Sequence, residues 1–352
     1  MKLLISAYSG LGNTIQLTAL IQCIKSSREN HEIFFISDDK YSQNEILIDE
    51  EVKTLKFQKT SVKSFIEIYR LISKEKFDII FLPFIGSPGW LLILSVALLK
   101  PKIFTHIQKM EFSKLFILKY FFKLFVPNFK SVKFDENRSE IETYKDLLFA
   151  TKEFSASAIN CMPSLSIKNN VFQQPFLDIN DEYVCFQYGV YNGRPSPKMW
   201  IDDNCYDFFT KFLKKYPKKK LVLLGDGEIK ESFPTQPRLI NLIKKTSINE
   251  LKIIVKNAKL IISMDSALMH FANALNVPLI AIYGPTNSAR TFPKKEGNFK
   301  IQSKYHDNGQ CDLMAKLPET KAIEVCEDCK QFMKDISASD VLKFIEEKKL
   351  LN

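Results

Sequence analysis

Short apolar runs alternate along the chain with longer stretches whose apolar positions fall at helical spacing. KLLISAY opens as a strand, and Ile15, Leu17, Leu20, Ile21 and Ile24 then mark a helix from about Thr14 to Lys25. EIFFIS is the next strand, followed by a shorter one near Thr54 to Phe57 and a helix from about Val62 to Ser73. Ile79 to Phe84 reads as strand, Trp90 to Leu99 as helix, and Lys102 to His106 as strand again. A charged helix is expected from about Phe134 to Phe149. Strands and helices alternating in this way argue for an α/β fold with a parallel, doubly wound sheet.

Residues 155 to 182 lack clear periodicity and carry Pro163, Asn169, Asn170 and Pro175, so they read as a crossing between domains. A second α/β block starts with the strand Tyr183 to Tyr188. It continues through a helix from about Asp202 to Tyr216, the strand KLVLLG, and a helix to about Asn257 opened by a Ser247/Glu250 capping box. Leu260 to Pro285 is the best-defined stretch: a strand to Asp265, a helix opened by Ser266, a break at Asn276-Val277-Pro278, and a strand ending in Gly284-Pro285. Residues 286 to 335 read as loop-rich, and Ser337 with Asp340 caps a closing helix, Val341 to Lys349. The expected division is 1–165, 180–335 and a terminal helix in 336–352.

In a parallel sheet the loops that follow the strands share one edge, and ligands bind there. Loops 189–200, 225–228, 265–270 and 284–290 bring Arg194, Lys198, Ser266, His270, Thr286, Asn287 and Arg290 to that edge. Cations, hydroxyls and the N–H groups of a helix start suit a diphosphate that must leave with charge. Asp265 only accepts, so it fits a sugar hydroxyl or a helix cap. His270 flanks the apolar arc of Leu268, Phe271 and Leu275, and a core histidine is the competing reading. In SGLGN, Gly10 and Gly12 let the backbone turn tightly, but Ile15 stands where a dinucleotide fingerprint needs its third glycine.

A length of 352 residues accommodates two domains. The net charge of +10 favours an anionic partner such as a nucleotide diphosphate, a phosphorylated sugar or a phospholipid. No zinc-finger spacing, RNA-binding signature or arginine-rich arm points to nucleic acid. Residues 109 to 133 punctuate a Phe-rich segment with lysines. They read either as a basic amphipathic surface for an anionic membrane or lipid-linked acceptor, or as a buried helix with snorkelling lysines. Cys23, Cys161, Cys185 and Cys205 are scattered and read as reduced thiols of a cytosolic chain. MKLLISAYSG is too short for a signal peptide. Pro83, Gly86, Pro88 and Gly89 interrupt the uncharged run Ile79 to Leu99, which favours strand, turn and helix over a membrane span. His306, Cys311, Cys326 and Cys329 contain one Cys-x-x-Cys, half of a zinc spacing, with free surface thiols as the alternative.

MDSALMHFANALNVPLIAIYGPTNSAR resembles the signature of the bacterial heptosyltransferase family. SGLGNTIQLTALIQCIK is similar to that family's amino-terminal loop and helix, Gly193 to Lys198-Met199-Trp200 to its Gly…Lys-x-Trp loop, and FMKDISASDVLKFI to its closing helix. Residues 40 to 75 and 105 to 180 carry none of the resemblance. It implies a GT-B fold, two Rossmann-like domains facing a cleft, with the final helix crossing back to the first domain. It also implies an inverting transfer of a sugar, heptose from ADP-heptose, to a lipopolysaccharide or related acceptor, with no cofactor or metal required. Lys198 would then contact the diphosphate, Asp265 the sugar hydroxyls, and the N–H groups of Ser266, Ala267 and Leu268 the phosphates. His270 would stand near the same phosphates, and Gly284, Pro285, Thr286 and Asn287 would complete the pocket. The place implied is the cytoplasm, or the inner face of the cytoplasmic membrane. Where the family carries an aspartate as general base, this chain has Asn13, and an amide does not accept a proton at neutral pH. Asp38, Asp39 and His106 are the unranked substitutes; a different donor sugar, or a binding relative that turns over slowly, are the competing functions.

Overall fold

A computed structural model describes residues 1–6, 10–27, 30–38, 48, 51–57, 62–83, 101–107, 126, 128–133, 135, 137–154, 161–167, 177–178, 180–189, 196–227, 236–305 and 329–351. These form two units, Met1–Ser166 and Ile167–Asn352. The expected first domain ended at 165.

The first unit is built on β1 (Lys2–Ser6), β2 (Glu32–Asp38), β3 (Lys53–Phe57), β4 (Ile79–Leu82), β5 (Lys102–Ile107) and β6 (Phe129–Lys133). They lie in the order β3-β2-β1-β4-β5-β6, and every pairing is parallel. The helices are α1 (Leu11–Lys25), α2 (Val62–Glu75) and α3 (Glu140–Phe149). Helices α1 and α3 cover one face of the sheet: Leu17, Leu20, Ile21 and Ile24 of α1 share a core with Tyr144, Leu147 and Leu148 of α3 and with Leu3 and Ile5 of β1. Ile68 and Ile72 of α2 cover the other face with Leu4, Ile80 and Ile103. A sheet buried on both faces explains why its strands read as unbroken apolar runs.

The second unit repeats this plan without repeating the sequence. Its strands are β7 (Tyr183–Gln187), β8 (Lys220–Leu224), β9 (Leu239–Asn241), β10 (Leu260–Met264), β11 (Leu279–Tyr283) and β12 (Asn298–Gln302). Their order is β12-β11-β10-β7-β8-β9, again parallel throughout. Read from the other side, each sheet runs third, second, first, fourth, fifth, sixth. The switch in winding therefore falls between β1 and β4 in one unit and between β7 and β10 in the other. The helices are α4 (Asp202–Lys215), α5 (Ile248–Asn257), α6 (Ala267–Ala274), α7 (Ser288–Thr291), α8 (Cys329–Lys334) and α9 (Ala338–Glu347). Phe208, Phe209 and Phe212 of α4 pack with Phe186, Trp200 and Leu223 in the largest core, all of them buried. Each such phenyl ring contributes roughly 2–3 kcal/mol when taken out of water.

Several expectations are corrected. The closing helix α9 is grouped with the second unit, where Ala338, Val341, Leu342 and Ile345 join the core built by α4. Its apolar stripe is filled there. The charged helix expected from Phe134 is confined to α3, which starts behind a capping box formed by Ser139 and Glu142. The end of the lysine-rich segment, Phe129–Lys133, is a strand paired with β5, so its lysines belong to no amphipathic helix. The stretch expected to be loop holds β12, whose five residues pair in register with β11, and also α7 and α8. Cys23 and Cys161 are not free thiols. They form a disulfide with 5.3 Å between their Cα atoms, because residue 161 returns beneath the buried side of α1 after a separation of 138 residues. Cys185 and Cys205 are free and buried. The helix expected at Trp90 to Leu99 and most of 109–133 lie outside the described residues. Among the described residues no helix is long and apolar enough to cross a membrane.

Candidate active site

The site is clearest at the carboxyl ends of β7 and β10, the two strands that flank the switch point of the second sheet. There the chain must leave the sheet in opposite directions, which opens a crevice. A buried polar chain spans it. Ser263 Oγ donates to Gln187 Oε1 at 2.5 Å, the Ser266 hydroxyl donates to the same oxygen, and Gln187 Nε2 donates to the Gly189 carbonyl at 3.0 Å. Ser266 is the N-cap of α6 by position, yet its side chain makes no cap hydrogen bond. Its hydroxyl is held back by Gln187 instead. The first-turn N–H groups of α6, those of Ala267 and Leu268 among them, therefore keep their anion-attracting end uncapped by a side chain.

Asp265 follows β10 directly and is 8% exposed. Lys198 Nζ stands 3.6 Å from its Oδ2. Burial by itself would push the carboxyl pKa up, but Lys198, His270 and the hydroxyls of Thr286 and Thr291 outweigh it, and the pKa is lowered. Asp265 is a charged acceptor. Thr286 Oγ1 is buried and makes no well-formed hydrogen bond, although it lies close enough to help hold Asp265 ionised. His270 is 5% exposed. Burial is the larger influence and lowers its pKa to about 4, against the pull of Asp265. At neutral pH it is an uncharged imidazole. It can donate or accept a hydrogen bond.

Backbone contacts set the floor of the crevice. Gly189 has φ +75°, and a Cβ there would lie 2.2 Å from the Gly227 Cα. The loops after β7 and β8 thus touch backbone to backbone. Gly284 and Pro285 are buried, and Asn287 serves as N-cap of α7 by accepting from the Ala289 N–H at 2.9 Å. The cap engages Asn287 Oδ1 and says nothing against a ligand contact from its Nδ2. The structure brings Lys198, Asp265, Ser266, His270 and Thr286 to one place. Arg194 lies outside the described residues, as do His306, Cys311 and Cys326; Cys329 starts α8, with its side chain undescribed. Among the described residues no group of three or more His, Cys, Asp or Glu side chains could hold a metal. Gln187 and Ser263 were missed in the sequence. The signal was a polar residue inside otherwise apolar strands, YVCFQ and LIISM.

In the first unit, helix α1 starts at Leu11, so Asn13 lies in its first turn rather than in a preceding loop, half-buried. No acidic residue stands in that turn. On the next turn Gln16 Nε2 donates to Glu140 Oε2 at 2.7 Å, and Glu140 is 5% exposed. Glu140 opens α3, whose amino end favours its charge. Gly10 is the N-cap of α1, and Gly12 lies within the helix. Of the substitutes for the missing carboxylate, Asp38 lies in β2 and His106 in β5, but their side chains, like Asp39, fall outside the described residues.

Residues 124–317, more than half of the 352, match the model of glycosyltransferase family 9 (heptosyltransferase). The chain belongs to that family. Lipopolysaccharide heptosyltransferase 1 of Campylobacter coli is 24% identical over 99% of this chain and 98% of its own length. Lipooligosaccharide heptosyltransferase 2 of Haemophilus influenzae is 43% identical, over 19% of this chain and 20% of that protein. The solved ADP-heptose lipopolysaccharide heptosyltransferase II of Escherichia coli shares the fold, with a TM-score of 0.70, 17% identity, and coverage of 100% of this chain and 98% of that one. The GT-B fold and a glycosyltransferase identity follow from the family and this likeness.

Proposed function

We propose that this family 9 glycosyltransferase takes ADP-heptose as donor and transfers heptose, with inversion and without a metal, to a lipopolysaccharide-core acceptor. The observation that carries this reading is the Lys198–Asp265 pair beside a helix start whose Ser266 hydroxyl is turned away. A diphosphate there meets one ammonium and a set of uncapped N–H groups. As the glycosidic bond breaks, these groups stabilise the charge that accumulates on the departing nucleotide. Asp265, held ionised, accepts from sugar hydroxyls. Thr286 Oγ1 is a buried hydroxyl with hydrogen-bonding capacity left for the same sugar. The relatives' names supply the choice of heptose and of ADP. A place at the cytoplasmic membrane face, with residues 109–133 against anionic lipid, goes with this reading.

The test is a thermal-shift panel of nucleotide sugars, followed by a transfer assay in the presence of EDTA. ADP-heptose raises the melting temperature more than UDP- or GDP-sugars do, and transfer persists with the chelator. A larger shift with another nucleotide sugar would replace the donor. Asn13 favours one second reading, a relative that binds the donor but turns it over slowly. Donor binding with only trace hydrolysis and transfer is its mark.

A further inference from the structure

The segment from the end of α8 to the start of α9 touches the ends of two strands at the donor edge, β11 and β12, and the start of α4. The Ile336 carbonyl accepts from Trp200 Nε1 and from Asn204 Nδ2, both at 2.8 Å. Trp200 is 1% exposed and stands two residues after Lys198. Asp335 Oδ2 accepts from Ser303 Oγ at 3.1 Å and from the Lys304 N–H at 2.7 Å, just beyond β12. Met333 closes on the end of β11: a Cβ on Gly284 would lie 2.3 Å from its Sδ and 3.0 Å from its Cγ. Gly284 does not have a positive φ, so its backbone tolerates a side chain and only Met333 forbids one. A thioether bends easily in open space, but Met333 is 1% exposed and Phe332 beside it is 0% exposed. A methyl group at residue 284 therefore displaces packed core. Gln302 Nε2 holds the Gly284 carbonyl at 2.9 Å and ties β12 to the same point.

We propose that Phe332–Ile336 is the positioning element of the donor site. It fixes the Lys198 loop through Trp200 and the Gly284–Thr286 loop through Met333, so that the Lys198–Asp265 pair and Thr286 keep their spacing. This rests on the donor reading above and adds the device that holds it in place. None of these residues touches the sugar nucleotide in the proposal; they act through the two loops.

The decisive experiment is a complementation measured by ADP affinity in calorimetry, with melting temperature recorded beside it. Gly284→Val weakens ADP binding about tenfold or more. Met333→Ala removes as many heavy atoms as valine adds, so it lowers the melting temperature but weakens ADP binding less than threefold. In Gly284→Val/Met333→Ala the affinity returns to within about threefold of the parent. Trp200→Phe keeps an aromatic ring in the core, though a smaller one, and loses the bond to Ile336; donor KM rises several-fold while kcat changes little. A merely structural segment gives the opposite pattern, in which affinity follows melting temperature and the double variant is no better than Gly284→Val. That pattern, or unchanged ADP affinity in folded Gly284→Val and Trp200→Phe, overturns the positioning role while leaving the donor reading intact. A parent protein that binds neither ADP nor ADP-heptose overturns both.

Discussion

The two units place the same strand order at the same edge and equip that edge differently. In the second, Lys198 and Asp265 form a partly buried ion pair, a glutamine bridges the switch point, and a helix start is left open. In the first, the helix after β1 opens with Gly10 and carries Asn13 but no acid in its first turn. The only buried carboxylate among the described residues there is Glu140, already held by Gln16. The scaffold thus fixes where chemistry occurs, and short loop segments fix which chemistry. The site of the second unit is built around charge, the corresponding place in the first around an amide, and four experiments separate them.

The largest effect concerns stability and singles out the first unit. Cys23 joins Cys161 across 138 residues and ties α1 to the end of that unit. Closing so long a loop restricts the unfolded chain by up to about 4–5 kcal/mol. The double variant Cys23→Ser/Cys161→Ser, or reduction by dithiothreitol, lowers the unfolding midpoint of the first unit and leaves that of the second in place. Coincident denaturation curves with and without reductant would return both cysteines to the thiol state expected from the sequence.

The second effect belongs to the second unit. Folded His270 takes up its proton only near pH 4, whereas in the unfolded chain it does so near its ordinary value of 6.5. Between these values the unfolded state binds more protons, so stability rises with pH there. The contribution is complete above pH 6.5 and falls away as pH drops towards 4, by about 3 kcal/mol. Asp265, with its lowered pKa, adds a loss only at still more acid pH. Urea unfolding at pH 7 and pH 4.5 measures the slope, and His270→Gln should flatten it. An equal slope in that variant would mean that the acid sensitivity arises elsewhere.

Third is Lys198→Ala. It removes the cation from a carboxylate whose side chain is 7% exposed and, in the proposed reaction, takes a positive charge from the leaving diphosphate. A fall of about 100-fold or more in kcat/KM is expected, with weaker ADP binding. Lys198→Arg should recover part of it. A variant that keeps full ADP affinity would move the diphosphate away from this pair.

The sequence made the site of the second unit readable because its information is local. Asp265, Ser266 and His270 sit within a few residues of one strand end, and the capping boxes at Ser247 and Ser337 appear in the structure as expected. What stayed hidden was carried by long-range contacts. Apolar periodicity marks which face of α9 is buried but not against what, so its packing on α4 was missed. Gly284 read as a ligand loop, although Met333 accounts for its missing side chain. Strand β12 has a mixed pattern, NFKIQ, and is specified by pairing to β11 at the sheet edge rather than by burial. The Cys23–Cys161 link has no local signature at all.

The smallest effect tests the first unit, the acceptor side in the proposed function. Asn13 lies in the first turn of α1, half-buried, next to a backbone held by the Thr14 N–H to the Gly10 carbonyl. An amide there can orient a hydroxyl but cannot take its proton. Asn13→Ala should therefore lower kcat by only about tenfold, the scale of lost orientation rather than of a lost general base, and leave ADP affinity unchanged. Asn13→Asp sharpens the point. A carboxylate at this position gains from the helix start, so turnover should rise and become pH-dependent, climbing as the new acid ionises. If alanine leaves kcat untouched, the acceptor is not oriented at Asn13. If aspartate brings no gain, the proton is accepted elsewhere, and the two halves of the molecule differ in more than this one residue.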